Sequence, residues 1–305
     1  MRAFAVIFAL VWAAPAAAEP LHDAVDAYAF YQTDISTLAT LTVRDQDTMD
    51  EALLLALRHD PARVANGYLA YGALTAAQAP DFVAGVRSRI TAAGRAPVLR
   101  QLNGDITYAR RRPPGSAQAI ALILASSGAD SARMITIGAR YTELADTIAF
   151  SASDRARRDQ RSERLRDVAR TAPNLSASFA VRVHPAALSA SPLTDAASFG
   201  GVRFWDALVR GDTPAPRTIA WREANAARAN RMLTLAGLFI AEAGATPRVR
   251  EMLDDTRLRD CLAMERLELR QCASVAASAN EDAHCIARHG LTEPAACFAE
   301  IAAAP

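Results

Sequence analysis

All four cysteines of the chain, Cys261, Cys272, Cys285 and Cys297, fall in its last forty-five residues, and their spacing limits the local fold more tightly than any other feature. The stretch from Asp254 to Ala277 has the composition of a helix and carries Cys261 and Cys272, eleven residues apart. On an α-helix that spacing returns to within about 20° of one face and climbs about 16 Å. A disulfide needs Cα atoms roughly 4.4–6.8 Å apart, so these two cannot bond each other, which removes one of the three connectivities open to four cysteines. Ser278-Ala279-Asn280 reads as a turn, and Asn280 with Glu281 and Asp282 as the start of a return helix. Residues equidistant from the turn lie level in an antiparallel hairpin. The predicted bonds are therefore Cys272–Cys285 and Cys261–Cys297, nested about a midpoint near Ala279. The crossed pairing would displace each bond by about 16 Å. His289-Gly290 reads as a helix end and Thr292-Glu293-Pro294 as a new start, so a break in the return arm is expected there. The inner bond is expected to carry the greater stability, and the outer one to keep residues 291–305 from fraying.

Paired cysteines call for an oxidising compartment, and the N-terminus agrees. MRAFAVIFALVWAAPAAA combines Arg2, an apolar run from Ala3 to Trp12 and the small residues Ala16-Ala17-Ala18. This is the pattern of a cleaved export signal, with cleavage expected after Ala18. The run is too short for a membrane anchor, since a spanning helix needs about 20 apolar residues. No cysteine lies near the cleavage site to accept a lipid. Every basic side chain besides histidine is arginine, and alanine is abundant, as expected of a GC-rich bacterial gene. The expected location is the periplasm or the exterior.

The chain is 51% hydrophobic but only 6% aromatic. Alanine carries much of the apolar fraction and has the highest helix propensity. The expected fold is all-α: a multi-helix bundle in one domain over 19–305, with a C-terminal disulfide-stapled helical hairpin at 254–305. A net charge of +1 excludes the basic excess of a nucleic-acid binder.

Helical periodicity marks 22–42, a second helix through Leu57 capped by Asp47 or Thr48, and a third after Asp60-Pro61. On the third, Gly67 and Gly72 leave room for a close neighbour. DFVAGVRSRITAAG forms a fourth, ending at Gly94. Residues 105–115 read as a loop, with Arg110-Arg111-Arg112 solvated ahead of Pro113-Pro114-Gly115. A short core helix is expected over Ser116–Ser127 and a separate long one over 130–150, running into the charged segment RARRDQRSERLRDVAR. Residues 172–200 are irregular, and SFAVRVH within them is the one candidate strand. Thr218 to Ala243 reads as the central core helix, with MLTLAGLFIA apolar on nearly every face.

Catalytic signatures are absent: no G-x-S-x-G, H-E-x-x-H, P-loop or dinucleotide fingerprint occurs. His22, His59 and His184 have no recognisable partner spacing. Cys285 and His289, with His284 adjacent, have metal-ligand spacing, but a disulfide sulfur is not a thiolate ligand. No metal, cofactor or catalytic residue is therefore assigned.

CLAMERLELRQC, EDAHCIARHGL and the last cysteine, with YLAYGALTAAQAPDFVAGVR far upstream, resemble a family of exported, four-cysteine helical proteins of alphaproteobacteria whose function is unknown. The resemblance implies export and a helical fold, and carries no activity. The expected role is non-catalytic binding or structure in the cell envelope, with an envelope protein as partner. A carrier of a small apolar ligand and a hydrolase with an unrecognised site are the alternatives. No nucleic-acid partner and no transmembrane segment in the mature chain are expected.

Overall fold

The computed structural model describes residues 20–148, 163, 222–223 and 225–303. The export signal, the charged segment at 151–162 and 164–170, the irregular segment 172–200 with its candidate strand, His184 and Trp221 lie outside the described residues.

The fold is all-α. Its helices are α1 (Pro20–Thr40), α2 (Gln46–Leu57), α3 (Pro61–Ala76), α4 (Pro80–Ala93), α5 (Arg95–Gly104), α6 (Tyr108–Arg111), α7 (Ser116–Thr147), α8 (Ala226–Ile240), α9 (Pro247–Leu253), α10 (Thr256–Val275), α11 (Ala279–Cys285) and α12 (Glu293–Ala299). A π-helical segment, Ile286–Thr292, joins α11 to α12. Two short strands, β1 (Arg222–Glu223) and β2 (Ala302–Ala303), pair antiparallel.

Side-chain caps set several helix starts. Asp60 accepts from the Arg63 amide at the head of α3, Asn225 from Arg228 at α8 and Asp255 from Leu258 at α10. Each such cap is worth about 1 kcal/mol. The cap of α2 is Asp45 rather than Asp47 or Thr48. Thr48 is the third residue of a capping box, and its hydroxyl accepts from the Asp45 amide.

Five elements depart from the sequence reading. Helix α5 has no counterpart in it, and neither does α9; α6 makes one helical turn inside the supposed loop. Ser116–Thr147 is one unbroken 32-residue helix rather than two. Helix α8 starts at Ala226, not Thr218, because 222–223 are drawn into pairing with the C-terminal 302–303.

Helix α7 runs through the core between α1, α3, α11 and α12. It is long and apolar enough to cross a membrane, and 61% of its most apolar window is buried inside the fold. Two of its buried polar residues, Asp130 and Arg133, are matched from α1. Tyr28 donates to Asp130 at 3.0 Å, and Gln32 donates to the Tyr28 hydroxyl at 2.8 Å. Arg133 donates to Gln32 Oε1 at 2.6 Å and to Ser36 at 2.8 Å. Tyr28 also packs among Tyr68, Tyr71 and Phe298, with ring centroids 5.0–5.7 Å away. Burial pushes the Tyr28, Tyr68 and Tyr71 phenols well up, so all three stay neutral. Gly67 lets α3 close onto α1: a Cβ there would lie 2.5 Å from the Ala24 carbonyl oxygen.

Candidate functional site

The hairpin is stapled as its spacing predicts. Cys272 is bonded to Cys285 with Cα atoms 5.7 Å apart, and Cys261 to Cys297 with Cα atoms 5.9 Å apart. The return arm does not break at His289-Gly290. It continues through the π-helical segment into α12. The reason is a difference of one residue. The outgoing arm has eleven steps between its cysteines and the return arm twelve. Twelve α-helical steps would leave Cys297 about 120° off the face of Cys285. A π-helical turn, bonded i to i+5, takes in one extra residue without advancing the face by a further step. The return arm then matches the outgoing one.

Between the two disulfides the seam is polar. Cys261, Glu265, Glu268 and Cys272 follow at spacings of four, three and four, so all four share one stripe of α10. Across from them, His289 is the fourth residue of the π-helical segment. Its Nδ1 lies 3.1 Å from Glu265 Oε2 and 3.1 Å from Glu268 Oε2. The imidazole and Glu265 are mostly buried, at 11% and 16% exposure, while Glu268 reaches solvent at 43%. The segment passes close to Gly138 on α7, where a Cβ would lie 2.6 Å from the rotatable Thr292 hydroxyl.

The other flank of His289 borders a cavity of about 40 Å³, lined with Tyr31, His59, Arg266 and Leu269. That is room for a few waters. His59 Nε2 lies 2.8 Å from Asp34 Oδ2, and Arg58 donates through two nitrogens to the same carboxylate. Burial, with the Arg58 and Arg266 cations, depresses His59 to about 3. The imidazole is therefore neutral and donates its Nε2 hydrogen to Asp34, whose charge Arg58 already balances. Burial also lowers Arg58 to about 10, which leaves it cationic at neutral pH.

The outer face of α10 sets exposed apolar side chains among the exposed Arg257, Asp260 and Gln271. Met264 is 53% exposed, Leu267 44% and Val275 75%. Beside it runs an open groove of about 280 Å³, lined by Arg259, Arg266, Arg270, Ala263 and Leu267, with Asp60 and Pro61 opposite.

The structure thus brings the four cysteines together as expected and adds residues that the sequence reading passed over. His284 is exposed, and Cys285 is consumed by its disulfide, so the Cys285/His289 metal spacing goes unused. His289 meets Glu265 and Glu268 instead. The E-x-x-E on the cysteine stripe was the available signal for that pair. No family model matches the sequence, and neither a curated protein nor a solved structure matches the chain.

Proposed function

We propose that this is an exported cell-envelope protein that binds another protein, through the outer face of α10, and performs no catalysis. The observation that carries this reading is that face itself. Met264, Leu267 and Val275 lie exposed on a helix that two disulfides pin to its neighbour. The adjoining groove is lined by Arg259, Arg266 and Arg270 with Asp60 opposite, and Arg259 also pairs with Asp254 and Asp260. Such a face suits a partner segment that is apolar and acidic, since rigid exposed apolar surface with charge complementarity favours association. The disulfides fit an oxidising compartment, and the buried pairing of α7 with α1 supports a core helix rather than a membrane span in the mature chain. The likeness to four-cysteine exported proteins of alphaproteobacteria belongs to the same proposal.

The alternatives draw less support. The cavity beside His289 holds only about 40 Å³, and the larger hollows of about 280 and 380 Å³ are open and edged by charged side chains such as Arg259, Arg270, Asp23 and Arg63, whereas small-molecule sites are concave and mostly apolar. A hydrolase reading would look to the His59–Asp34 pair. A histidine depressed to about 3 and only 6% exposed is a poor general base at neutral pH.

The test is capture from a periplasmic extract with protein whose intact mass shows loss of residues 1–18. The double variant Met264→Asp/Leu267→Asp should lower partner recovery at least tenfold while circular dichroism stays unchanged. Equal recovery by both proteins rejects the α10 face. A small molecule retained in native mass spectrometry, with no protein captured, favours the carrier.

A further inference from the structure

We propose that Glu265, Glu268 and His289 form a binding site for a divalent transition-metal cation of the zinc class, held in the hairpin seam between the two disulfides. The site is independent of the outer face of α10. Three observations carry it.

The first is a shortage of donors. Two carboxylate oxygens converge on one imidazole nitrogen at 3.1 Å each. Nδ1 carries at most one hydrogen, so it cannot give a full hydrogen bond to both. Among the described residues neither glutamate has an arginine partner. Two like charges one helical turn apart, that of Glu265 mostly shielded from water, repel, and a single imidazole hydrogen serves only one of them. A dication offsets both.

The second is geometry. The three ligand atoms all lie within 4.8 Å of one another. Zinc bonds of about 2.0–2.2 Å in a tetrahedron place neighbouring ligand atoms about 3.3–3.6 Å apart. The 3.1 Å separations at His289 need only a small outward shift. Three protein ligands leave one position for water on the solvent side, where Glu268 is 43% exposed.

The third is support from the chain around the ligands. Disulfides above and below fix the separation of the two arms at that level. The π-helical segment carries His289 itself, and such segments recur at functional sites. The donor set selects the metal class. Calcium and magnesium prefer all-oxygen shells, whereas zinc accepts imidazole with carboxylate. Copper(I) asks for soft sulfur, and every cysteine is already in a disulfide.

The test is calorimetric titration of Zn²⁺ into tag-free, oxidised, full mature protein stripped with EDTA, with Co²⁺ absorption as a second readout. The expected result is one equivalent bound. His289→Gln and Glu265→Gln should each weaken binding at least tenfold, with both disulfides intact by non-reducing peptide mapping. Glu268→Gln, at a solvent-exposed position, should do the same and keeps the test decisive if either of the more buried variants misfolds. A titration without a one-equivalent step overturns the proposal, as does a step that all three variants retain.

Discussion

His59 gives its Nε2 hydrogen to Asp34 across 2.8 Å, and that imidazole stays neutral in the fold. Its depression from 6.5 to about 3 has burial as the main cause, reinforced by Arg58 and Arg266. Below pH 6.5 the unfolded chain takes up a proton at this histidine that the folded chain refuses. Stability from this group is complete above pH 6.5 and falls as pH drops toward 3, by at most about 1.4 kcal/mol per pH unit. Urea midpoints at pH 7.5, 6.0 and 5.0 should decline accordingly. In His59→Gln, which keeps a donor but cannot titrate, the decline should flatten. An equal slope in the variant would place the pH dependence elsewhere.

Glycine packing gives a ranking of two substitutions. A Cβ at residue 67 would meet main chain, the Ala24 oxygen at 2.5 Å and the Tyr28 nitrogen at 2.7 Å. Main chain cannot rotate aside, so α1 and α3 must separate. Overpacking of this kind costs about 1–3 kcal/mol, more than the roughly 1 kcal/mol gained in helix propensity. At residue 138 the nearest atom is the Thr292 hydroxyl, at 2.6 Å, and the next is 3.1 Å away. That hydroxyl can turn. Gly67→Ala should therefore lower the urea midpoint clearly, while Gly138→Ala should change it little.

The parts of the fold that were legible in the sequence are those with narrow geometric rules. Disulfide reach fixed the cysteine pairing, and Asp60-Pro61 marked the start of α3. What escaped was decided at a distance. Ser126-Ser127-Gly128 looks like a break between two helices, yet Ser126 bonds back to the Leu122 carbonyl at 2.9 Å and α7 runs on. The late start of α8 depends on β1 pairing with β2, eighty residues away, which no local pattern announces. Glu265 and Glu268 could be placed on the cysteine stripe by counting. That His289 sits opposite them depends on the π-helical segment, which periodicity does not reveal.

The two disulfides should differ in the order opposite to the one expected from sequence. Losing the outer bond should not fray the C-terminus. Tyr68 donates to the Phe298 carbonyl at 3.2 Å, Arg228 to that of Cys297 at 3.2 Å, and Phe298 and Ile301 are fully buried. Its contribution is then mainly to the unfolded chain. Sequence separations of 36 and 13 correspond to about 4 kcal/mol for the outer bond and about 3 kcal/mol for the inner one in the chain-entropy account. Cys261→Ala/Cys297→Ala should thus lose at least as much stability as Cys272→Ala/Cys285→Ala, with native helical content retained. A larger loss from the inner pair would show that docking of the arms near the turn dominates.

The π-helical segment makes the sharpest prediction, because its origin is one surplus residue. Arg288 lies within it, with its side chain 59% exposed. Deleting Arg288 leaves eleven steps between Cys285 and Cys297, the same number as between Cys261 and Cys272. An ordinary α-helix then brings Cys297 back within about 20° of the face of Cys285, and the outer disulfide should still form. Deleting the exposed Gln271 from α10 has the opposite effect. It leaves Cys261 about 80° off the stripe that Cys272 occupies, with no slack in the outgoing arm to absorb the change. Thiol counting and non-reducing peptide mapping should find no free cysteine in the Arg288 deletion and unpaired Cys261 and Cys297 in the Gln271 deletion. If the Arg288 deletion also lost the outer bond, the segment would hold its shape for some reason other than matching the two arms.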